Sequence, residues 1–241
     1  MITLTNKTLI SFSLLTLLCL TTIANAEEKK QKVIPGWDSI SDLDDDCKIS
    51  TAIIITVPNT NHDLNPRNRL NAPRLLKKVS GDFTVQVKVT GGFIPGEKPT
   101  GKGTPFNGAG LLIWENNKSY LRLERNAFGK PESLSCFPPL LEYWSEGKYK
   151  GFNAKTVRAD EFFQDYTTWL KLQRKGKQMI ASYSHDGKEW TVVKEFEVDF
   201  GNDISAGIAA VNTSNAEFKV AFENFKLTTD SPKEKTETDK K

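Results

Sequence analysis

An alternation of apolar and polar residues with a period of two runs through most of this chain and strongly limits its fold. In residues 83–89, apolar Phe83, Val85, Val87 and Val89 alternate with polar residues. The two sets therefore point to opposite sides of an extended strand. The same pattern recurs in residues 51–57, 110–115, 120–125, 140–144, 169–174, 179–184, 191–198, 204–211 and 218–227. Since no convincing amphipathic helix interrupts these runs, we expect an all-β protein.

Residues that favour turns separate several of the predicted strands. Residues 115–119, 174–177 and 184–188 are short and rich in Asn, Gly, Asp and Lys, as expected for hairpin connections. Many short antiparallel strands without helices indicate a sandwich of two sheets. The number of strands favours a jelly roll over an immunoglobulin-like domain.

The first 26 residues have the features of a secretory signal peptide. Lys7 is followed by an apolar run over residues 9–23 and then by the small-residue sequence Ala24-Asn25-Ala26, which is typical of a cleavage site. We predict cleavage after Ala26 and a secreted or periplasmic location. The apolar run is shorter than a spanning helix requires. We expect no membrane span after the signal peptide is removed.

The rest of the chain is predicted to be one domain between two polar ends. Residues 27–32 form a polar lead-in, and residues 228–241 form a charged tail that we expect to be disordered. Residues 33–227 show no linker and no repeat, so we predict a single jelly-roll β-sandwich there. The net charge of +3 comes without a basic stripe, which argues against a nucleic-acid partner. The oligomeric state stays open.

Two cysteines remain after removal of the signal peptide, Cys47 and Cys136. In an exported protein they could form a disulfide. Closing so long a loop would contribute roughly 4 to 5 kcal/mol in the chain-entropy model. Two separate buried thiols are an equal alternative. The two cysteines and two histidines are scattered along the sequence and do not predict a zinc site.

The densest group of acidic residues lies at positions 42–46. Carboxylate oxygens are the ligands that calcium prefers. A structural calcium ion bound by Asp42, Asp44 and Asp46 is therefore one hypothesis for this segment. The alternative is a solvated acidic turn, because neighbouring aspartates on a strand point to opposite faces.

Several motifs together give the chain a family resemblance. In order along the chain they are residues 70–76 (LNAPRLL), 79–84 (VSGDFT), 106–112 (FNGAGLL), 120–125 (YLRLER), 184–190 (SHDGKEW) and 222–227 (FENFKL). Over residues 37–227 the chain resembles the concanavalin A-like "regulation of enolase" family of uncharacterised domains. The resemblance implies a concanavalin A-like jelly-roll sandwich of two antiparallel sheets, a fold shared with lectins and glucanases. A shared fold does not by itself fix a function.

A carbohydrate-binding groove is the site that these residues favour. Sugar rings bind against flat aromatic side chains that are flanked by hydrogen-bonding groups. On strand 120–125, the period of two places Tyr120, Arg122 and Glu124 on one face. The predicted ligand-binding residues are Trp114, Tyr120, Arg122, Glu124, Tyr143 and Trp144. In the alternative interpretation the tryptophans fill the core, and Arg122 pairs with Glu124 or with another neighbour across the sheet.

No complete catalytic motif is present in the sequence. Sandwich glucanases of this kind carry acids in the spacing Glu-x-Asp-x-x-Glu, whereas residues 197–202 end at Asn202. We therefore predict no catalytic residues and interpret this segment as a strand that runs into a turn. The favoured function is a secreted, non-catalytic domain that binds carbohydrate at the cell envelope or in extracellular glycan. An envelope scaffold module and a glycoside hydrolase are the alternatives.

Overall fold

A computed structural model describes residues 33–152, 155–162 and 166–229. Almost all regular structure in these residues is β-strand. The strands are β1 Ser39–Ser41, β2 Lys48–Ile49, β3 Ile54–Val57, β4 Leu64–Asn65, β5 Arg69–Leu70, β6 Arg74–Ser80, β7 Phe83–Gly91, β8 Phe106–Asn116, β9 Ser119–Phe128, β10 Ser135–Cys136, β11 Leu140–Ser145, β12 Lys148–Tyr149, β13 Val157–Arg158, β14 Thr167–Lys175, β15 Gln178–Ser184, β16 Thr191–Glu197, β17 Asp203–Asn212 and β18 Phe218–Thr229. The helical segments are a 3-10 turn at Pro131–Ser133 and α1 at Ala159–Phe162.

The strands form two large antiparallel sheets and one small hairpin. The first sheet has nine strands, in the order β1-β6-β17-β8-β9-β10-β13, with β11 beside β9 and β12 beside β11. The second sheet has seven strands, in the order β16-β15-β14-β7-β18-β3-β2. The sheets pack face to face, with β14 against β8 and β9, and with β17 against β18 and β3. This arrangement confirms the predicted concanavalin A-like jelly-roll sandwich.

The main hydrophobic core lies between the two sheets and is built from the predicted alternation. Val85, Val87 and Val89 on β7 are fully buried there, as are Ile113 on β8 and Leu121 on β9. Burying a side chain of this size contributes roughly 1.5 to 3 kcal/mol. The residues that alternate with these core residues along each strand point to the outer face of the same sheet. The two sheets therefore present two outer faces with different side chains.

The observed strands differ from the predicted ones at two informative places. Strand β3 begins at Ile54 instead of residue 51, because a turn precedes it and Ile53 has a φ of 55°. Strand β6, Arg74–Ser80, was not among the predicted strands. Its alternation is hidden because Leu75 and Leu76 are both buried, Leu75 in the main core and Leu76 in a second hydrophobic cluster on the opposite face.

The ends of the chain are only partly described. Strand β18 continues through Thr229, two residues past the predicted domain end at residue 227, because Thr228 and Thr229 pair with Thr84 and Phe83 of β7. The predicted signal peptide (1–26), the lead-in (27–32) and residues 230–241 of the predicted tail lie outside the described residues. Across the described part of the chain, no helix has the length and apolar character of a membrane span.

Cys47 and Cys136 form no disulfide with each other, and both are buried. Cys47 directly precedes β2, the edge strand of the second sheet next to β3. Cys136 lies on β10, beside β9 of the first sheet. Because β3 packs against β17 whereas β9 packs against β14, the two cysteines belong to different ends of the sandwich. The predicted disulfide is therefore replaced by its alternative, two separate buried thiols.

Candidate functional site

All predicted ligand-binding residues except Tyr143 lie on the outer face of the first sheet, turned away from the second sheet. The turn after β8 sets their register, because Asn116 Oδ1 accepts hydrogen bonds from the backbone N–H groups of Lys118 (2.8 Å) and Ser119 (3.1 Å). Trp114 is thereby paired with Tyr120, and Tyr120 is paired with Trp144 of β11.

These three side chains form an aromatic row, by which we mean Trp114, Tyr120 and Trp144. The ring centroids of Trp114 and Tyr120 are 5.3 Å apart, and those of Tyr120 and Trp144 are 6.2 Å apart, with interplanar angles of 24° and 23°. The rings are thus stacked side by side across three strands, as predicted for a single face.

Tyr143 does not belong to this face. It precedes Trp144 on β11, and adjacent residues of a strand point to opposite sides. Its ring packs in the main core against Phe200, with centroids 5.3 Å apart, and its hydroxyl accepts a hydrogen bond of 2.7 Å from the backbone N–H of Asp199. Tyr143 is therefore removed from the candidate site.

A small hairpin covers the middle of the outer face. It consists of β4 and β5, and we call residues 64–70 the cap hairpin. Its turn, Asn65-Pro66-Arg67-Asn68, has Asn and Pro at the positions that a type I turn favours. The Asn65 carbonyl accepts a hydrogen bond of 2.9 Å from the Asn68 N–H. The sequence of this short turn therefore accounts for the shape of the cap.

The cap hairpin makes the aromatic row part of a second core. Leu64 and Leu70 of the cap pack with Tyr120 and Trp144 in a hydrophobic cluster separate from the main one. The Tyr120 hydroxyl donates a hydrogen bond of 2.7 Å to the Leu64 carbonyl. Tyr120 is 0% exposed and Trp144 is 3% exposed. These two aromatic side chains support the cap and do not line an open groove.

Below the cap, Arg122 lies at the centre of a buried charge network, defined as Asp63, Arg122, Glu124 and Glu142. The Arg122 Nη2 atom is 2.6 Å from Glu142 Oε2, and its Nη1 atom is 3.5 Å from Glu124 Oε2. Arg122 is 6% exposed and Glu124 is 1% exposed. Arg122 therefore pairs with Glu124 and with a neighbour across the sheet, as the alternative to a sugar-binding role predicted.

Burial dominates the protonation of this network. Burial raises the pKa of Glu124 to about 7, although the positive charge of Arg122 acts in the opposite direction. Burial also raises the pKa of Asp63, again opposed by Arg122. One guanidinium therefore compensates several carboxyl groups that are largely removed from water.

A cleft of about 560 Å³ lies where this face meets the edge of the second sheet, because Thr229 of β18 lines it together with residues of β6, β8 and β17, and no residue of the cap hairpin does. The register places Lys78 of β6, Ser205 of β17 and Trp114 of β8 side by side at its floor. Ser80, Glu115, Asp203 and Thr229 complete the polar lining, and Val79 and Ile204 of the main core form its apolar part. The volume lies within the range of small-ligand sites, and of the predicted ligand-binding residues Trp114 lines the cleft.

The cleft combines one rigid aromatic side chain with several hydrogen-bonding groups. The Trp114 ring is held by Tyr120 and by the Arg74 guanidinium, whose carbon lies 4.3 Å from the ring centroid. Lys78 and Asp203 are exposed. A carboxylate, an ammonium group and hydroxyl groups at the edge of an indole can bind a polyhydroxylated ligand. Sequence reasoning found Trp114 but missed Lys78, Asp203 and Ser205, because only the strand order brings β6 and β17 next to β8.

The aspartates that were predicted to bind calcium have different partners, although Asp44 Oδ2 and Asp46 Oδ1 lie 3.8 Å and 2.8 Å from the same atom, His62 Nε2. Asp44 pairs with Arg69 at 2.9 Å and accepts a hydrogen bond of 2.6 Å from Asn71. Asp42 and Asp46 instead converge with Cys47 and His62, and one ligand atom from each of these four residues lies within 4.8 Å of the others. Calcium prefers six to eight oxygen ligands. A thiol and an imidazole in the set depart from that preference, and the calcium site at Asp42, Asp44 and Asp46 stays a prediction.

Comparison with protein families gives one match in the second half of the chain. A family described as "Protein of unknown function (DUF1349)" matches residues 152–230, which is less than half of the chain. No curated protein matches the sequence.

Solved structures share the fold at low sequence identity. A functionally unknown protein from Saccharomyces cerevisiae has a TM-score of 0.57 and 16% identity over 79% of this chain and 95% of its own. A GH43 protein from Bacillus licheniformis has a TM-score of 0.51 and 16% identity over 73% of this chain and 33% of its own. A xylan beta-1,4-xylosidase from Bacillus halodurans has a TM-score of 0.50 and 13% identity over 73% of this chain and 32% of its own. This chain thus corresponds to only a part of both Bacillus proteins, and the likeness establishes the fold that the sequence resemblance implied.

Proposed function

We propose that this chain is an exported, non-catalytic jelly-roll domain that binds carbohydrate in the open cleft of the first sheet. The lining of that cleft carries the proposal: it brings the Trp114 indole together with Lys78, Asp203 and Ser205 beside the part of the face that the cap hairpin covers. An aromatic side chain and neighbouring donors and acceptors suit the apolar and polar sides of a sugar ring. Export rests on the predicted signal peptide.

The same cleft argues for a modest affinity and for an uncharged ligand. It is shallow, and a single rigid aromatic side chain offers little area to bury, so we expect dissociation constants between micromolar and millimolar. The lining carries both an ammonium group, from Lys78, and carboxylates, from Glu115 and Asp203. Mixed charges of this kind favour the hydroxyl groups of a neutral glycan over a strongly charged polymer.

The positions of Glu124 and Asp63, the described carboxyl groups whose pKa burial raises, support a non-catalytic role, because neither lines the cleft. A general acid in glycoside hydrolysis needs a raised pKa and access to the scissile bond. Glu124 has a pKa raised by burial to about 7, but it is 1% exposed. It does not line the cleft. Residues 197–202, the nearest sequence match to a glucanase motif, form the end of β16 and the connection to β17.

The proposal is tested by measuring the binding of the purified protein to a panel of neutral polysaccharides that includes xylan, the glycan in the name of one fold relative. We expect Trp114→Ala to weaken binding by about tenfold or more, as for a central aromatic contact. Asp203→Ala is the second variant, because this exposed residue can be truncated without disturbing a core. Tyr120 and Arg122 are unsuitable for this test, since both are buried.

Trp190→Ala is the matched control. Its partly buried indole contacts Lys171 of the second sheet, 3.9 Å from the ring centroid, and it does not line the cleft. It should bind glycan as the unaltered protein does. If the folded protein binds no polysaccharide, the proposal is wrong and a scaffold role takes its place. Release of reducing sugar by the unaltered protein would contradict the non-catalytic part alone.

A further inference from the structure

A cluster of metal-binding side chains lies at the root of the cap hairpin, apart from the proposed carbohydrate cleft. It brings the acidic segment, residues 42–47 before β2, together with His62, which lies two residues before the cap hairpin. The four side chains are Asp42, Asp46, Cys47 and His62. Cys47 and His62 are buried, at 5% and 0% exposure. Sulfur and nitrogen donors beside two carboxylates form a mixed set that differs from an ordinary acidic surface turn.

His62 is fixed in place on both its backbone and its ring. Its backbone N–H donates to the Asn212 carbonyl at 2.8 Å, and its carbonyl accepts from the Asn212 N–H at 2.9 Å, at the end of β17. The ring Nδ1 atom contacts the Thr60 hydroxyl at 3.2 Å. Metal-binding histidines commonly use one ring nitrogen in this way, which orients the other nitrogen toward the metal. Here Nε2 points at Asp46 Oδ1, 2.8 Å away.

The remaining donors are positioned by the backbone of the acidic segment. The Cys47 N–H donates to Asp42 Oδ2 at 3.2 Å, which holds that carboxylate next to the thiol. The Cys47 Sγ atom is 3.7 Å from Asp46 Oδ1. In a tetrahedral zinc site, bond lengths of about 2.0 to 2.3 Å place neighbouring ligand atoms roughly 3.3 to 3.7 Å apart. The observed separations, all within 4.8 Å, need only small side-chain adjustments to reach this geometry.

We propose that Asp42, Asp46, Cys47 and His62 bind one divalent transition-metal ion, with Zn²⁺ as the best match. Zinc accepts sulfur, nitrogen and carboxylate oxygen in a four-coordinate site. On binding, the thiol proton of Cys47 passes to solvent and the thiolate joins the metal. All four positions are filled by protein side chains, so the ion is structural. It ties the acidic segment to the base of the cap hairpin.

The proposal also explains why sequence reasoning missed this site. Zinc motifs are recognised by pairs of Cys or His with short, regular spacing. Here Cys47 has Asp46 as its sequence neighbour, and His62 arrives from a separate segment through its pairing with Asn212. The predicted calcium set took Asp44 from the same segment, but Arg69 and Asn71 hold that carboxylate.

The test uses metal-free protein titrated with Zn²⁺ and, as a spectroscopic probe, with Co²⁺ under reducing conditions. We expect one metal ion per chain, a thiolate-to-cobalt charge-transfer band and a higher melting temperature with zinc. Cys47→Ser should abolish the charge-transfer band, and His62→Gln should weaken zinc binding by more than about 100-fold, the upper end of the effects seen for second-shell changes.

Cys136→Ser is the matched control, because it removes the other buried thiol at the opposite end of the sandwich. It should keep the band and the stoichiometry. Asp44→Asn distinguishes this site from the predicted calcium set: Asp44 Oδ2 lies 3.8 Å from His62 Nε2, but Arg69 and Asn71 hold its carboxylate, so the substitution should leave zinc affinity within about tenfold, as for a change next to the coordinating residues. A folded protein that shows no cobalt band, or that loses the band only with Cys136→Ser, would overturn the proposal. Binding of calcium without zinc would overturn it as well. None of these outcomes depends on glycan binding.

Discussion

The two sheets carry charged residues at similar outward positions, but the surroundings of those charges differ. On the second sheet, Lys88 and Glu223 pair across β7 and β18 at 2.8 Å, with side chains 28% and 47% exposed. On the first sheet, Arg122 and Glu142 pair across β9 and β11 at 2.6 Å, with side chains 7% and 16% exposed. The cap hairpin accounts for the difference in exposure, because it covers the outer face of the first sheet around Arg122. Strand alternation decides which face a charge occupies, whereas a distant loop decides whether water reaches it.

We expect the largest difference in stability between the two sheets when the cation of each pair, Arg122 or Lys88, is removed. Arg122→Met leaves Glu124 and Asp63 buried without their positive partner, which should lower the free energy of unfolding by about 3 to 5 kcal/mol. Lys88→Met breaks a partly exposed pair and should cost about 1 kcal/mol or less. Urea unfolding of both variants measures the difference. Equal losses would mean that the cap does not exclude water from the buried charge network.

The next effect concerns the pH dependence of stability. Burial raises the pKa of Glu124 in the folded protein from 4.5 to about 7. Between these values the folded state holds a proton that the unfolded state has released, so stability falls as the pH rises from 4.5 to 7 and then levels off. Relative to Glu124→Gln, the unaltered protein should lose up to about 3 kcal/mol across this range.

The measurement is the unfolding free energy of the two proteins at several pH values from 4 to 8. Glu223→Gln on the exposed face of the second sheet is the control, and it should change stability by less than about 0.5 kcal/mol. A constant difference between the unaltered protein and Glu124→Gln at every pH would show that Glu124 titrates in a solvated environment.

The fold was predictable because its main core obeys a local rule. Val85, Val87 and Val89 alternate with polar residues, and their burial between the sheets required no knowledge of distant segments. The same rule correctly placed Tyr120, Arg122 and Glu124 on one face. It failed for β6, where Leu76 is apolar on the outer side because the second hydrophobic cluster buries it.

The candidate site was less predictable because long-range contacts create it. The cap hairpin has two strands of two residues each, which is too short for any periodic signal. Its position over Tyr120 and Trp144 closes this part of the aromatic row, whereas Trp114 stays partly exposed. In the same way, Trp114 acquires Lys78 and Ser205 as neighbours only through the strand order β6-β17-β8. The residue types were enough to suggest a ligand site. Only the topology shows that Trp114 lies beside an open cleft and that Tyr120 lies under the cap hairpin.

The smallest effect concerns the hydrogen bond that holds the cap. Tyr120→Phe removes the donor to the Leu64 carbonyl, now 2.7 Å away, and leaves the ring in place. Loss of such a buried bond should cost about 1 to 2 kcal/mol. We expect this loss to appear mainly as faster amide exchange in residues 64–70, because the bond joins the cap hairpin to the sheet.

Tyr143→Phe is the matched control from the opposite face of the same sheet. Its hydroxyl accepts a hydrogen bond from the Asp199 N–H at 2.7 Å, so its loss should cost a similar free energy. Its effect on amide exchange should appear near residue 199 and leave residues 64–70 unchanged. If Tyr120→Phe and Tyr143→Phe slow or speed exchange in the same segments, the cap hairpin does not open independently of the main core, because the two hydrophobic clusters would then unfold as one unit.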